Sequence, residues 1–339
     1  MHEDKFYKIG ETLDNLIKLD ISSRGSIGAL YEAARKLSDE PLTLTAARIL
    51  QEKIKINDRV ILTTGWIDQP EIAPDCGETD GPGGTVVLAR ALRLLLKAQC
   101  IILTDAQLVE KTKKVAQAAG FHCVQPEQIA ESINRNKLMT LSVLPFPEDS
   151  DEAKDKAEKM LTELQPVCCI AVERGGMNEK GRIHSMWGKD TSKTQAKVDY
   201  IFQAAAQKGI ATLAIGDGGN EIGMGNIKET VREKINYGDK CLCGCGEGIA
   251  PATKVTHLLT AVISNWGCYA VADMLCALTG ELRHLHTPEQ EKRILENAVY
   301  NGFHDAIYGG VEYSVDGCSL PVHTSVVRLM KEIVEQGMK

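Results

Sequence analysis

Five acidic residues lie inside short glycine-rich stretches. Glu78 and Asp80 stand in Gly77-Glu78-Thr79-Asp80-Gly81-Pro82, Glu173 in Glu173-Arg174-Gly175-Gly176, and Asp217 and Glu221 in Gly216-Asp217-Gly218-Gly219-Asn220-Glu221. Glycine lets backbone turn sharply or approach a ligand, and carboxylates in such loops transfer protons or hold cations. Arg174 is the only basic residue embedded in these motifs, so the acids call for a further counter-charge, either a divalent metal or the ammonium group of a substrate. Hard oxygen ligands suit Mg²⁺ or Mn²⁺ better than zinc. Asp217 and Glu221 are therefore candidate metal ligands, and Glu78, Asp80, Glu173 and Arg174 candidate catalytic groups. Thr79, Gly81, Gly218, Gly219, Asn220, Ser264 and Asn265 are candidate substrate contacts. The chemistry expected is on a small molecule, bound through such a metal or through an ammonium group of its own.

Other chemistries find less support. No G-x-G-x-x-G follows the first apolar run, and neither a phosphate-binding P-loop nor a G-x-S-x-G elbow occurs. Cys241-Leu242-Cys243-Gly244-Cys245 could cup a soft metal. It lacks the C-x₂₋₄-C pairs of common zinc sites, and a free-thiol loop is the expectation. The histidines show no metal-ligand spacing and are given no role.

The elements that must position the acids follow from the apolar pattern. Strand-sized runs occur at Val60–Thr64, Cys100–Thr104, Phe121–Val124, Leu138–Leu144, Val167–Val172, Ile210–Ile215 and Thr256–Ile263, with amphipathic helices between several of them. Alternation of this kind predicts an α/β fold: a doubly wound, mostly parallel sheet of six or seven strands with helices on both faces. The expected organisation is one unit over 1–339, with a helical cap over 1–55, the sheet core over 56–280 and a C-terminal helical addition over 281–339. Thr287-Pro288-Glu289-Gln290 predicts a capped helix start in the last part. In such sheets ligands bind beyond the carboxyl ends of the strands. The acidic motifs follow the first, fifth and sixth runs, and Ser264-Asn265-Trp266-Gly267 follows the seventh. Asp105 follows the second run, where a helix N-cap accounts for it.

The formal charge of −7 disfavours nucleic acid and anionic membrane surfaces as partners. The apolar stretch from His257 to Gly280 is broken by Ser264, Asn265 and Gly267 and carries Asp273, so a strand, turn and helix explain it better than a membrane span. Eleven cysteines and an N-terminus without signal-peptide character predict a reducing, cytoplasmic setting, and a homo-oligomer is compatible with the composition.

The acidic motifs, with Gly188-Lys189-Asp190 and the run from Gly216 to Gly225, resemble the D-glutamate cyclase C-terminal domain family. The resemblance extends from about Arg24-Gly25 to Val315-Asp316-Gly317. Gly83 and Gly176 stand where that pattern favours proline, and the cysteine loop is not part of it. The resemblance implies conversion of D-glutamate to 5-oxo-D-proline and water. Ring closure needs a deprotonated amine and a γ-carboxylate made electrophilic. Glu78 or Asp80 would move the proton, Arg174 would clamp the carboxylate, and Asp217 and Glu221 would hold a metal or the ammonium. A different metal-dependent hydrolase or phosphotransfer enzyme, or a small-molecule sensor, are the alternatives.

Overall fold

The computed structural model describes residues 2–310 and 312–339, with side chains from Lys5 onward. Seven parallel strands form one sheet: β1 (Arg59–Thr63), β2 (Gln99–Thr104), β3 (His122–Cys123), β4 (Thr140–Pro145), β5 (Cys168–Val172), β6 (Ala211–Gly216) and β7 (His257–Thr260). Their spatial order is β3-β4-β2-β1-β5-β6-β7. β1 sets the register on both sides, with Val60 opposite Cys100 on β2 and Cys168 on β5. These strands are near-continuous apolar runs because helices cover both faces, and β2 and β5 are buried at every position. The last run was expected to pair through Ile263. It leaves the sheet at Thr260, and the chain bends through Val262 and Ile263 into a helix.

The chain walks outward from β1 through β2 to β3 and β4, then returns to place β5 on the other side of β1. The connections that leave β1 and β5 therefore diverge, opening a crevice at their carboxyl ends.

Among the described residues twelve α-helices surround the sheet. α1 (His2–Ile17), α2 (Ile27–Arg35) and α3 (Leu42–Lys53) form the N-terminal group, with α2 and α3 against β7. Asp14, fully buried, ties the three together. Its carboxylate accepts from Leu42 N at 2.7 Å and Thr43 N at 3.1 Å, at the start of α3, and from the Tyr31 hydroxyl at 2.8 Å.

α4 (Pro82–Ala91) leads from the first acidic loop to β2, and α5 (Val109–Ala118), α6 (Pro126–Asn134), α7 (Ser150–Leu164), α8 (Asp199–Gln207) and α9 (Lys228–Lys234) follow. α10 (Ser264–Thr279) is buried from Ser264 to Ala277, which accounts for its apolar sequence all round. Among the described residues no helix is long and apolar enough to cross a membrane.

α11 (Pro288–Tyr300) opens with the expected capping box, Thr287 Oγ1 accepting from Gln290 N. α12 (Leu320–Gly337) packs on α1 and α10. Two short pairings bring this last part to the crevice. Gly77–Glu78 pairs in parallel with Phe303–His304, and Ser314–Val315 forms a hairpin with Cys318–Ser319. Its turn residues, Asp316 and Gly317, have φ of +50° and +77°, the backbone that an Asp-Gly hairpin turn adopts.

Candidate active site

The crevice is lined by carboxyl groups. Asp80, on the loop between β1 and α4, accepts from Ser264 N and Asn265 N, both at 2.8 Å, and so sits on the N-terminus of α10. Burial and the nearby Asp217 push its carboxyl up to about 7 against the pull of those amides. Asn265 completes the join. Its side-chain oxygen accepts from Gly81 N at 3.1 Å and from Gly84 N, and its amide donates to Thr79 O at 3.1 Å.

Two glycines are dictated by this packing. Gly81 has φ +96°, and a Cβ there would meet Thr64 Oγ1 at 2.6 Å and Glu173 Cβ at 3.0 Å. A Cβ on Gly84 would lie 2.7 Å from Asn265 Cα, so glycine is what lets α4 and α10 cross this closely.

Glu173 follows β5 directly and has φ +44°, a left-handed conformation that is costly for a residue with a side chain. Its carboxyl accepts from Ser264 Oγ at 2.5 Å. Burial, followed by Asp217 and Glu221, holds it well above the ordinary carboxylate range. Glu221 folds back on its own loop, taking Asp217 N at 2.9 Å, Gly218 N at 2.6 Å and Gly219 N at 2.7 Å. Burial and Asp217 raise it to about 7. Glu78 is half-buried, and among the described residues its carboxyl takes no hydrogen bond; burial first, then Asp316 and Asp80, keep it well above its usual value.

The cation at the centre is Arg24, from the turn between α1 and α2. Its guanidinium donates to Asp217 at 2.6 Å, to Asp316 at 3.1 Å and to the Val262 carbonyl. Burial alone would raise Asp217; Arg24, with hydrogen bonds from Asp316 and Glu221, instead holds it below the ordinary range. Asp316, on the hairpin turn, is raised by burial and by Asp217. Neither Arg24 nor Asp316 was among the expected site residues. The signals available were the Arg24-Gly25 and Asp316-Gly317 pairs at the two ends of the family resemblance.

Arg174, expected to clamp a substrate carboxylate, is a correction. It is fully buried and forms a two-pronged pair with Asp105, one arm at 2.9 Å, while also donating to the carbonyls of Gly65 and Ala196. Asp105 in turn makes no side-chain cap to the helix that follows it and instead also accepts from Ala196 N at 2.6 Å. The pair fastens the ends of β2 and β5 beneath the crevice. Other expected substrate contacts are held internally. Thr79 donates to Ser314 O at 2.9 Å, and Asn220 donates to His184 O at 2.8 Å, away from the carboxyl ring. Gly218 and Gly219 give their amides to Glu221.

Two sets of carboxylate oxygens lie within 4.8 Å of one another: Asp80, Asp217 and Asp316, and Glu173, Asp217 and Glu221. Either offers hard oxygen donors to a divalent cation. A cavity of about 410 Å³ opens nearby, between Asp68–Glu71 and Ser185–Thr194. Asp68 in its wall contributes to the field on Glu78.

A doubly wound α/β fold with an acidic crevice at its switch point is the architectural class to which the chain belongs. Within it, residues 13–331 match the model of the D-glutamate cyclase-like, C-terminal family, and the chain belongs to that family. It is 27% identical over 346 residues to the human protein named D-glutamate cyclase, mitochondrial, covering 95% of this chain and 51% of that one. The chain thus spans about half the length of this curated relative.

Proposed function

We propose that the chain catalyses closure of D-glutamate to 5-oxo-D-proline with loss of water, in the crevice around Arg24 and Asp217. The observation that carries this reading is the ring of buried carboxyls gathered around Arg24, most of which burial and mutual repulsion raise above their ordinary range. Ring closure transfers two protons from the ammonium nitrogen to a departing carboxylate oxygen. A carboxylate is a poor electrophile, and a protonated carboxyl beside it both removes repulsion and supplies the proton that lets oxygen leave as water. Glu78 is suited to this exchange, being raised and without a hydrogen bond of its own. Held protonated, it would give its proton to the leaving oxygen and take one back from the nitrogen, while the charged Asp217 would carry the other proton from the ammonium to the same oxygen.

Glu173 and Asp80, both bonded to the start of α10, position the ring of acids, with Asp217 as the charged member facing a substrate ammonium. Arg24 supports the electrophilic carboxylate in the role first expected of Arg174. Mg²⁺ or Mn²⁺ on Asp217, with Glu221 or Asp316, would supply Lewis-acid help, in competition with Arg24 for the same oxygens. The cavity beside Asp68 is the approach route we assign, its wall carrying Lys189 and Lys193 together with the acids Asp68, Glu71 and Asp190.

The test is incubation of the purified chain with D-glutamate, L-glutamate or 5-oxo-D-proline, with Mn²⁺ or EDTA, followed by chiral chromatography. Interconversion confined to the D-compounds is expected. Its absence in every condition would sink the proposal. Interconversion that EDTA leaves intact would assign the chemistry to the side chains alone.

A further inference from the structure

Outside the carboxyl ring, the structure gathers a second set of ligand-type atoms that the sequence leaves apart. His184 stands on a hairpin-like strap after β5, held by bridges between Met177 and Ile183 and between His184 and Asp190. Cys241, Cys243 and Cys245 lie on the loop between α9 and β7. His184 is fully buried, and its Nε2 lies 3.2 Å from Cys243 Sγ and 3.9 Å from Cys245 Sγ. Cys241 Sγ lies 3.3 Å from both Cys243 Sγ and Cys245 Sγ. All four ligand atoms fall within 4.8 Å of one another.

We propose that these four residues form a tetrahedral Cys₃His site for zinc. With Zn–S near 2.3 Å and Zn–N near 2.0–2.1 Å, two thiolates on one tetrahedron stand about 3.8 Å apart, and a thiolate and imidazole about 3.5 Å. The imidazole–thiol contacts of 3.2 and 3.9 Å bracket the second of those edges, and the two thiol–thiol contacts of 3.3 Å lie about 0.5 Å inside the first, so binding an ion moves the thiolates apart by that much. Three thiolates and one imidazole are the donor set that zinc prefers, and four protein ligands leave no open position, as in a structural site.

The surroundings suit bound thiolates. Asn178 Nδ2 donates to Cys245 Sγ at 3.3 Å and to Gly248 O at 2.8 Å, and Leu242 N donates to Gly188 O at 2.9 Å, so strap and loop are already docked. Among the described residues His184 Nδ1 has no hydrogen-bond partner, which leaves the ring oriented by its thiol side. The absence of a second pair of cysteines argued for a free-thiol loop; the fourth ligand is instead a histidine more than fifty residues upstream.

The site has a structural consequence. The His184 carbonyl receives Asn220 of the acidic glycine loop, and Ser185, Trp187 and Lys189 of the same strap line the cavity beside the crevice. Zinc would hold that wall in place without touching the carboxyl ring, and its presence is independent of which reaction the ring performs.

The full chain, purified under reducing conditions without chelator, is expected to carry about one zinc per chain by elemental analysis. Cobalt exchanged for the zinc should give a tetrahedral spectrum with thiolate-to-cobalt charge transfer. Losing a partner that only supports a metal ligand costs 10–100-fold in affinity, so His184→Ala or Cys243→Ser should weaken zinc binding by more than about 100-fold. A wild-type chain with three freely titrating thiols and no stoichiometric metal overturns the proposal. So does iron or copper in zinc's place, a disulfide within the loop, or zinc content unaltered in a folded His184→Ala variant. Because wild-type metal content and the cobalt spectrum need no variant, a misfolded mutant does not shelter the idea.

Discussion

Residues of one type in the crevice differ in what their surroundings leave them able to do. Asp80 and Glu221 each accept backbone amides with both oxygens, which fits them to hold loops. Glu78 has no such commitments. Glu78→Gln keeps the side-chain shape and is expected to lower turnover by about 10²–10⁴-fold, the usual contribution of a general acid or base, while the melting temperature changes little. Steady-state rates beside a thermal melt decide it, and a variant retaining full turnover would move the role elsewhere. Arg174 makes the opposite case. Asp105→Asn should cost about 3–5 kcal/mol of stability by stranding a buried guanidinium, with KM of the folded enzyme unchanged. A shifted KM at unchanged stability would restore Arg174 as a substrate clamp. The five loop acids were legible because each sits beside glycines in one motif. Arg24 was not, since an arginine in a polar turn reads as a solvated charge until the fold carries it to Asp217.

At the scale of elements, the site is where β1 and β5 end and α10 begins, and the apolar runs announced most of this. All seven strands fall on the expected apolar runs, the last ending three residues short of its run, and the capped start of α11 is as expected. What periodicity does not encode is how helices cross. The contact of α4 with α10 rests on Gly84 and on Asn265, which binds Gly81, Gly84 and Thr79 together. Gly84→Ala has to push two helices apart, and a loss of about 1–3 kcal/mol is expected from denaturant unfolding. Because that movement carries Asp80 and Ser264 with it, activity should fall further than the unfolded fraction explains. Equal losses would mean that the helix junction supports the fold but not the geometry of the acids. The hairpin at Ser314–Ser319 was within reach of the sequence as an Asp-Gly turn, yet its address beside Asp217 comes from long-range contacts: Gly77–Glu78 with Phe303–His304, Thr79 with Ser314, and Arg24 with Asp316.

The whole molecule carries an unusual pH signature. Asp80 and Glu221 are raised to about 7, and Glu78, Glu173 and Asp316 lie well above their ordinary values of 3.8 to 4.5. Between the ordinary range and these raised values the folded chain binds more protons than the unfolded one. Stability from these groups is complete below pH ~4 and is lost as pH rises through about 7 and beyond. Asp217, lowered, works in the other direction, losing its contribution only in stronger acid. The melting temperature of the ligand-free chain should therefore fall between about pH 5 and pH 8, and Mn²⁺ or an amino-acid ligand should flatten the slope by supplying positive charge. A melting temperature that rises over this interval would mean that the carboxyls are ionised and otherwise compensated.

Arg24 comes from the turn after the first helix, and Asp316 from the hairpin before the last. During synthesis the first is made long before the second. A nascent chain can lay down β1 through β7 and still lack one arm of the bracket that holds Asp217. The bracket is thus complete only once the hairpin at Ser314–Ser319 has been made, so that a product released before it would have the whole sheet but not the paired Asp217.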